Sequence, residues 1–156
     1  MDTHCIGIDP AYSKPIAYAY NIELLWRVGS ASPDDMARMV DVLREAKQDG
    51  CTWAVIEDSY LGRNPATFKG LSRKQGELGT LAVMAGLRVR LVAPATWQAD
   101  CLTQGKWRPK THTEIVTVAK FRARALTGTD WPEDKAVAVC LADWGDCNLS
   151  REMAHV

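Results

Sequence analysis

The sequence predicts an α/β layered fold built on a mixed five-stranded sheet, and three observations carry that prediction. Two apolar runs, "CIGID" and "CTWAVIED", each stop abruptly on carboxylates, at Asp9 and Glu57. Three short strand patterns follow one another near the start of the chain, too closely spaced to leave room for helices between them. After them, strand patterns alternate with helical ones to the end. The expected sheet has three antiparallel strands and then parallel ones, flanked by helices.

Taken in order, His4 to Asp9 reads as a buried strand, and the turn "PAYSKP" returns the chain into Ile16 to Ile22 and then Leu24 to Val28. "SPDDMARMVDVLREAKQDG" carries helix signals: Ser32 to cap, Pro33 at the first helical position, acids in the first turn and Gly50 at the end. Met36, Met39, Val40 and Leu43 form its apolar stripe. "CTWAVIED" is the fourth strand, and a loop, "SYLGRNP", leads to a helix from Ala66 to Ala85 with Leu71, Leu78, Leu81, Ala82 and Ala85 on its buried side. "LRVRLVAP" is the fifth strand, Arg88 and Arg90 on one face and Val89 and Leu91 on the other. A short helical piece, "ATWQADCL", precedes the basic loop "TQGKWRPK"; helices from Thr111 to Leu126 and from Pro132 to Trp144 follow.

At 156 residues, 47% apolar and 24% charged, the chain reads as one globular domain over 1–156. It has no apolar run long enough to span a bilayer and no visible export signal. Five cysteines in no ligand or disulfide spacing, with Cys5, Cys51 and Cys140 among apolar neighbours, suggest free thiols in a reducing compartment, so the expected location is the cytoplasm. The net charge of zero hides a segregation. Between Tyr60 and Arg124 stand twelve Lys or Arg against three acids, and the remainder of the chain is correspondingly acidic. One face built to meet phosphate is the functional reading; two differently charged solvated faces is the bland one.

In parallel-stranded sheets functional groups gather at the carboxyl ends of strands. Asp9 and Glu57 end two strands, and Asp130 and Asp134 stand at the opening of the last helix, where i, i+4 spacing would put both on one face. Clustered carboxylates raise one another's pKa unless a cation is present. Oxygen ligands without histidine or cysteine suit Mg²⁺ or Mn²⁺ rather than Zn²⁺, and two such ions are a known device for hydrolysing phosphodiesters. His4, His112 and His155 show no ligand spacing.

With these residues in view, "IGIDPAYSKPIAYA" resembles the first strand and hairpin of RuvC-type Holliday-junction resolvases, "AVIEDSY" their second acidic strand, "RKQGELGTLAVMAG" the glycine-containing helix after it, and "DKAVAVCLADW" their last helix. The resemblance covers nearly the whole chain in the right order and suits phage and bacterial members alike. It implies a ribonuclease H-like fold and a homodimer that cuts four-way DNA junctions by paired symmetrical nicks, leaving 5′-phosphate and 3′-hydroxyl ends, with two Mg²⁺ or Mn²⁺ ions per active site. By position, Asp9, Glu57 and Asp134 match family metal ligands, Tyr60 an aromatic that stacks at the junction core, and Lys110 a lysine near the scissile phosphate. In one place the pattern departs: where the family has its other late acidic ligand stands Trp131, leaving Asp130, favoured by its spacing, or Glu133 for that role.

The basic segment adds expected DNA contacts at Arg63, Lys69, Arg73, Lys74, Lys106, Trp107, Arg108 and Lys110. A junction with two-fold symmetry calls for two symmetric cuts, and the glycine-containing helix Ala66 to Ala85 is the expected dimer interface. Competing readings are a nuclease of the same fold acting on RNA–DNA hybrids or ribosomal RNA precursors, an actin-like ATP-binding protein, and a junction-binding module without catalysis.

Overall fold

The computed structural model describes residues 4–11, 13–58 and 64–154, the side chains of 150–154 excepted. Strands β1 (His4–Asp9), β2 (Ile16–Ile22) and β3 (Leu25–Ala31) form the antiparallel meander, followed by α1 (Met36–Gln48), β4 (Cys51–Glu57), α2 (Pro65–Met84), β5 (Arg88–Val92), α3 (Pro94–Leu102), α4 (His112–Thr127) and α5 (Glu133–Ala154). The sheet order is β3-β2-β1-β4-β5, with β4 parallel to β1 and β5 parallel to β4.

Each face of the sheet buries its own core. On one side Ile6, Ile8, Ala54 and Ile56 pack with Met39, Val42, Leu43 and Ala46 of α1 and Leu78 and Ala82 of α2. On the other, Cys5, Val55 and Val92 meet Trp97 of α3, Ala119 of α4 and Leu141, Trp144 and Leu149 of α5. The buried stripe of α1 thus takes in Val42 and Ala46 where the sequence suggested Val40.

Helix α5 sets the geometry of the site. It lies so close on β1 that a Cβ on Gly7 would stand 2.3 Å from the Ala138 carbonyl oxygen and 2.5 Å from the Ala142 nitrogen. A Cβ on Gly145 would likewise press on Val55 and Cys5, at 2.7 and 2.8 Å. The helix runs antiparallel to β1: farther along it Asp146 accepts a 2.8 Å hydrogen bond from the Cys5 backbone N–H, while its first turn lies beside Asp9.

Three boundaries differ from the sequence reading by three residues or more. β3 runs on to Ala31, because Ala31 pairs with Ile16. The cap of α1 is Asp35, which accepts from the Arg38 N–H at 3.1 Å, while Ser32 makes the preceding turn through its carbonyl to Asp35 N–H and Pro33 stays outside the helix. α5 continues past Trp144 to Ala154, held down by fully buried Leu149.

Candidate active site at the carboxyl edge of the sheet

Parallel pairing of Ile8 with Ile56 brings the next residues, Asp9 and Glu57, side by side at the ends of β1 and β4. Asp134, in the first turn of α5, completes a group of three carboxylates with Asp9. All three line a cavity of about 550 Å³, together with Lys14, Trp97, His112 and Glu133. Its floor comes from the strand ends, and its walls from α3, the start of α4 and the start of α5.

Each carboxylate is held differently. Glu57 Oε2 accepts a 2.7 Å hydrogen bond from the indole Nε1 of Trp97, itself almost wholly buried. Asp134 Oδ1 lies 2.9 Å from the Lys14 ammonium, which reaches in from the turn between β1 and β2. Asp9 is hydrogen-bonded to Asp134; burial first, then the charges of Glu57 and Asp134, push its pKa well above the ordinary carboxylate range, with Lys14 opposing them. Burial disfavours the charge of Lys14, yet the hydrogen bond to Asp134 and the charges of Asp134, Asp9 and Glu133 outweigh it and raise its pKa.

The donor set consists of carboxylate oxygens in a partly buried cleft, which is the chemistry a hard divalent cation needs. Among the described residues no three Asp, Glu, His or Cys side chains stand ready-made as a metal cage. The repulsion among the acids is lowered by a hydrogen bond between Asp9 and Asp134 and by the Lys14 ion pair. The residues fit the metal in kind, and ligation calls for the two acids to give up that bond.

Other expected site residues are placed elsewhere. Asp130 does not join the cavity. α5 begins only at Glu133, its first intrahelical bond running from Ala136 N–H to the Pro132 carbonyl, so Asp130 lies ahead of the helix and shares no helix face with Asp134. It is 80% exposed and stands 3.4 Å from the Arg124 guanidinium. Glu133 does line the cavity, 3.4 Å from His112 Nε2. Lys110 is exposed and is not among the cavity's lining residues; its backbone N–H supports the capping of α4 by donating to Glu114.

Of the expected DNA contacts, Tyr60 and Arg63 lie outside the described residues. Lys69 and Arg73 are exposed on α2. Lys74 is not free: its ammonium bonds the Pro33 carbonyl and Glu77, both at 2.8 Å, tying α2 to the entry of α1. Lys106, Trp107 and Arg108 are exposed on a tight turn closed by reciprocal backbone hydrogen bonds between Gln104 and Trp107, and Arg108 donates to the carbonyl of Ala95, a cavity-lining residue.

The sequence reading did not single out Lys14, Trp97 or His112 as site residues. Lys14 carried a usable signal, a lone cation in the return turn just after Asp9. Trp97 and His112 carried none, since only the packing of α3 and α4 brings them to the strand ends.

No family model matches the chain, and no curated protein sequence does. Solved structures do match it. RuvC of Thermus thermophilus in complex with a Holliday junction substrate superposes with a TM-score of 0.68 at 17% identity, over 97% of this chain and 96% of that one. A structure of Thermus thermophilus RuvC by itself gives 0.70 at 16% identity, over 96% and 97%. A Cas12f1–sgRNA–target DNA complex gives 0.50 at 12% identity, over 89% of this chain and 38% of that one. At these identities the likeness establishes the fold: the mixed five-stranded sheet and its flanking helices have the ribonuclease H-like arrangement of RuvC.

Proposed function

From this shared fold, we propose that the chain is a divalent-metal-dependent endonuclease that resolves four-way DNA junctions by paired nicks, acting as a homodimer. The observation that carries the reading is the convergence of Asp9, Glu57 and Asp134 at the carboxyl edge of a sheet whose arrangement matches RuvC over nearly the whole of both chains. The RuvC structure in complex with a Holliday junction favours branched DNA over the hybrid and ribosomal RNA substrates.

Asp9, Glu57 and Asp134 would hold the metal, with Glu133 the adjacent fourth carboxylate. Mg²⁺ or Mn²⁺ held there would supply Lewis-acid activation of the attacking water and offset charge on the leaving 3′ oxygen. The chain's own groups do the rest. Trp97 fixes the orientation of Glu57, as partners of ligating carboxylates do. Fully buried Ile8 and Ile56, just before Asp9 and Glu57, give the floor of the cleft an apolar backing that strengthens the interactions made there. Lys106, Arg108 and Lys110, exposed beside the cleft, offer the backbone phosphates sequence-independent contacts.

The dimer needs an apolar face, and α2 with β5 offers one. Val83, Met84 and Leu91 are 61%, 78% and 43% exposed, beside Gly76, Gly79 and Thr80 in a shallow groove.

The test is cleavage of a labelled synthetic four-way junction in Mg²⁺ or Mn²⁺, beside linear duplex and the Asp9→Asn variant. Paired nicks in the junction alone, absent with the variant, are expected. Tight binding without cutting by either protein would leave a binding module, and no preference for the junction would turn attention to hybrid or RNA substrates.

A further inference from the structure

Lys14 has no part in the carboxylate constellation read from the sequence, yet it occupies the centre of that constellation's electrostatics. Its ammonium lies 2.9 Å from Asp134 Oδ1, and Asp9 and Glu133 add to the field that holds it there. It comes from a different element, the turn between β1 and β2, and its side chain remains 59% exposed, so it can swing outward without disturbing the core. The oxygen it engages belongs to a carboxylate that a metal ion at this site would need. Asp130 stands outside the cleft, 3.4 Å from the Arg124 guanidinium, while Glu133 lines it, 3.4 Å from His112 Nε2. Among the described residues five carboxylates, those of Asp9, Glu57, Asp58, Glu133 and Asp134, and the one ammonium of Lys14 line the cleft.

We propose that Lys14 is a resident counter-cation of the carboxylate cluster, displaced from Asp134 when a divalent ion binds and thereby released toward the phosphate of the substrate. The inference rests on the metal-site reading given above and adds a residue to it. Two consequences run in opposite directions. A unit positive charge within a few ångströms of the ion's position disfavours binding, so removing it tightens metal binding. The same charge, once released at the rim, offsets negative charge that develops on the phosphate, so removing it slows cutting at full metal occupancy. A lysine that was merely a solvated surface residue would produce neither effect.

The experiment is a Mn²⁺ titration of the DNA-free protein followed by electron paramagnetic resonance, comparing wild type with Lys14→Gln and with the charge-conserving Lys14→Arg. Lys14→Gln is expected to bind Mn²⁺ on the order of tenfold more tightly, and Lys14→Arg to stay near wild type. At saturating Mn²⁺, Lys14→Gln is expected to cut a four-way junction on the order of tenfold more slowly. Equal or weaker Mn²⁺ binding by Lys14→Gln overturns the role of Lys14 and leaves the metal-site reading standing. No Mn²⁺ uptake by any of the three proteins overturns both. Because the titration contains no DNA, it is decided independently of whether the substrate is a junction.

Discussion

The indole of Trp97 donates a 2.7 Å hydrogen bond to the Glu57 carboxylate across the gap between α3 and the end of β4. The bond fixes one oxygen of a strand-end acid that lines the cleft. Replacing Trp97 with Phe keeps an aromatic ring in the core and removes only the donor side of this contact and some volume. Loss of such an orienting partner typically costs 10–100-fold in metal affinity or activity, so a loss of about that size is expected in Mn²⁺ affinity, measured by titration, with the circular dichroism spectrum unchanged.

The two candidates for the fourth carboxylate separate cleanly. Asp130 is an exposed partner of Arg124 outside the cleft, and exposed ion pairs contribute little, about 0–1 kcal/mol. Asp130→Asn is expected to leave junction cutting within about twofold of wild type and stability within about 1 kcal/mol. Glu133→Gln alters the cleft wall beside Asp134 and is expected to raise the Mn²⁺ concentration needed for half-maximal cutting. The reverse ranking in a metal-dependence assay would restore Asp130 to the site.

Asp9 links the site to stability. Burial, then the charges of Glu57 and Asp134, raise its folded pKa above the unfolded value of about 3.9. The native state therefore holds that proton more tightly than the unfolded chain, and the stabilisation it brings is fully present below the unfolded pKa and lost as pH rises through the folded value. In EDTA, urea unfolding is expected to show wild type losing stability relative to Asp9→Asn as pH increases from acid toward neutral. Added Mn²⁺ is expected to stabilise wild type and to leave Asp9→Asn nearly unchanged. Parallel pH profiles for the two proteins in EDTA would contradict this account.

The approach of α5 to β1 is set by glycine, and its cost can be measured. A methyl on Gly7 meets backbone atoms of Ala138 and Ala142, which cannot yield unless the helix lifts. A methyl on Gly145 meets side-chain atoms of Val55 and Cys5. Overpacking usually costs about 1–3 kcal/mol, so Gly145→Ala is expected in that range and Gly7→Ala above it, by urea denaturation. Lifting α5 also moves Asp134 from Asp9, so Gly7→Ala should lose cutting activity even at temperatures where it stays folded.

Met84, 78% exposed on α2, tests the proposed dimer without touching the core. Met84→Glu places a charge on each copy at an apolar contact. A shift from dimer to monomer in sedimentation velocity is expected, with paired junction nicks giving way to single ones. An unchanged dimer would move the interface to another face.

Much of this molecule was set by local sequence. Alternation and apolar runs specify β1 to β5, because a strand's side chains divide between two faces with a period of two residues. Asp9 and Glu57 could be picked out because a carboxylate that ends a buried run has to reach water, a donor or a cation. Their adjacency also followed, once β4 was read as parallel to β1. What the sequence could not decide was how each chain segment of the last third lands on the sheet. The i, i+4 spacing of Asp130 and Asp134 means a shared face only inside a helix, and the helix starts at Glu133. Lys74 looked like a phosphate contact until the packing of α2 on α1 brought it to Pro33 and Glu77. Lys14, Trp97 and His112 reach the cleft from three separate elements, through contacts that span up to 120 positions of chain. Periodicity reports the environment of a residue within its own element; which distant side chain completes its hydrogen bonds is settled only when the layers close.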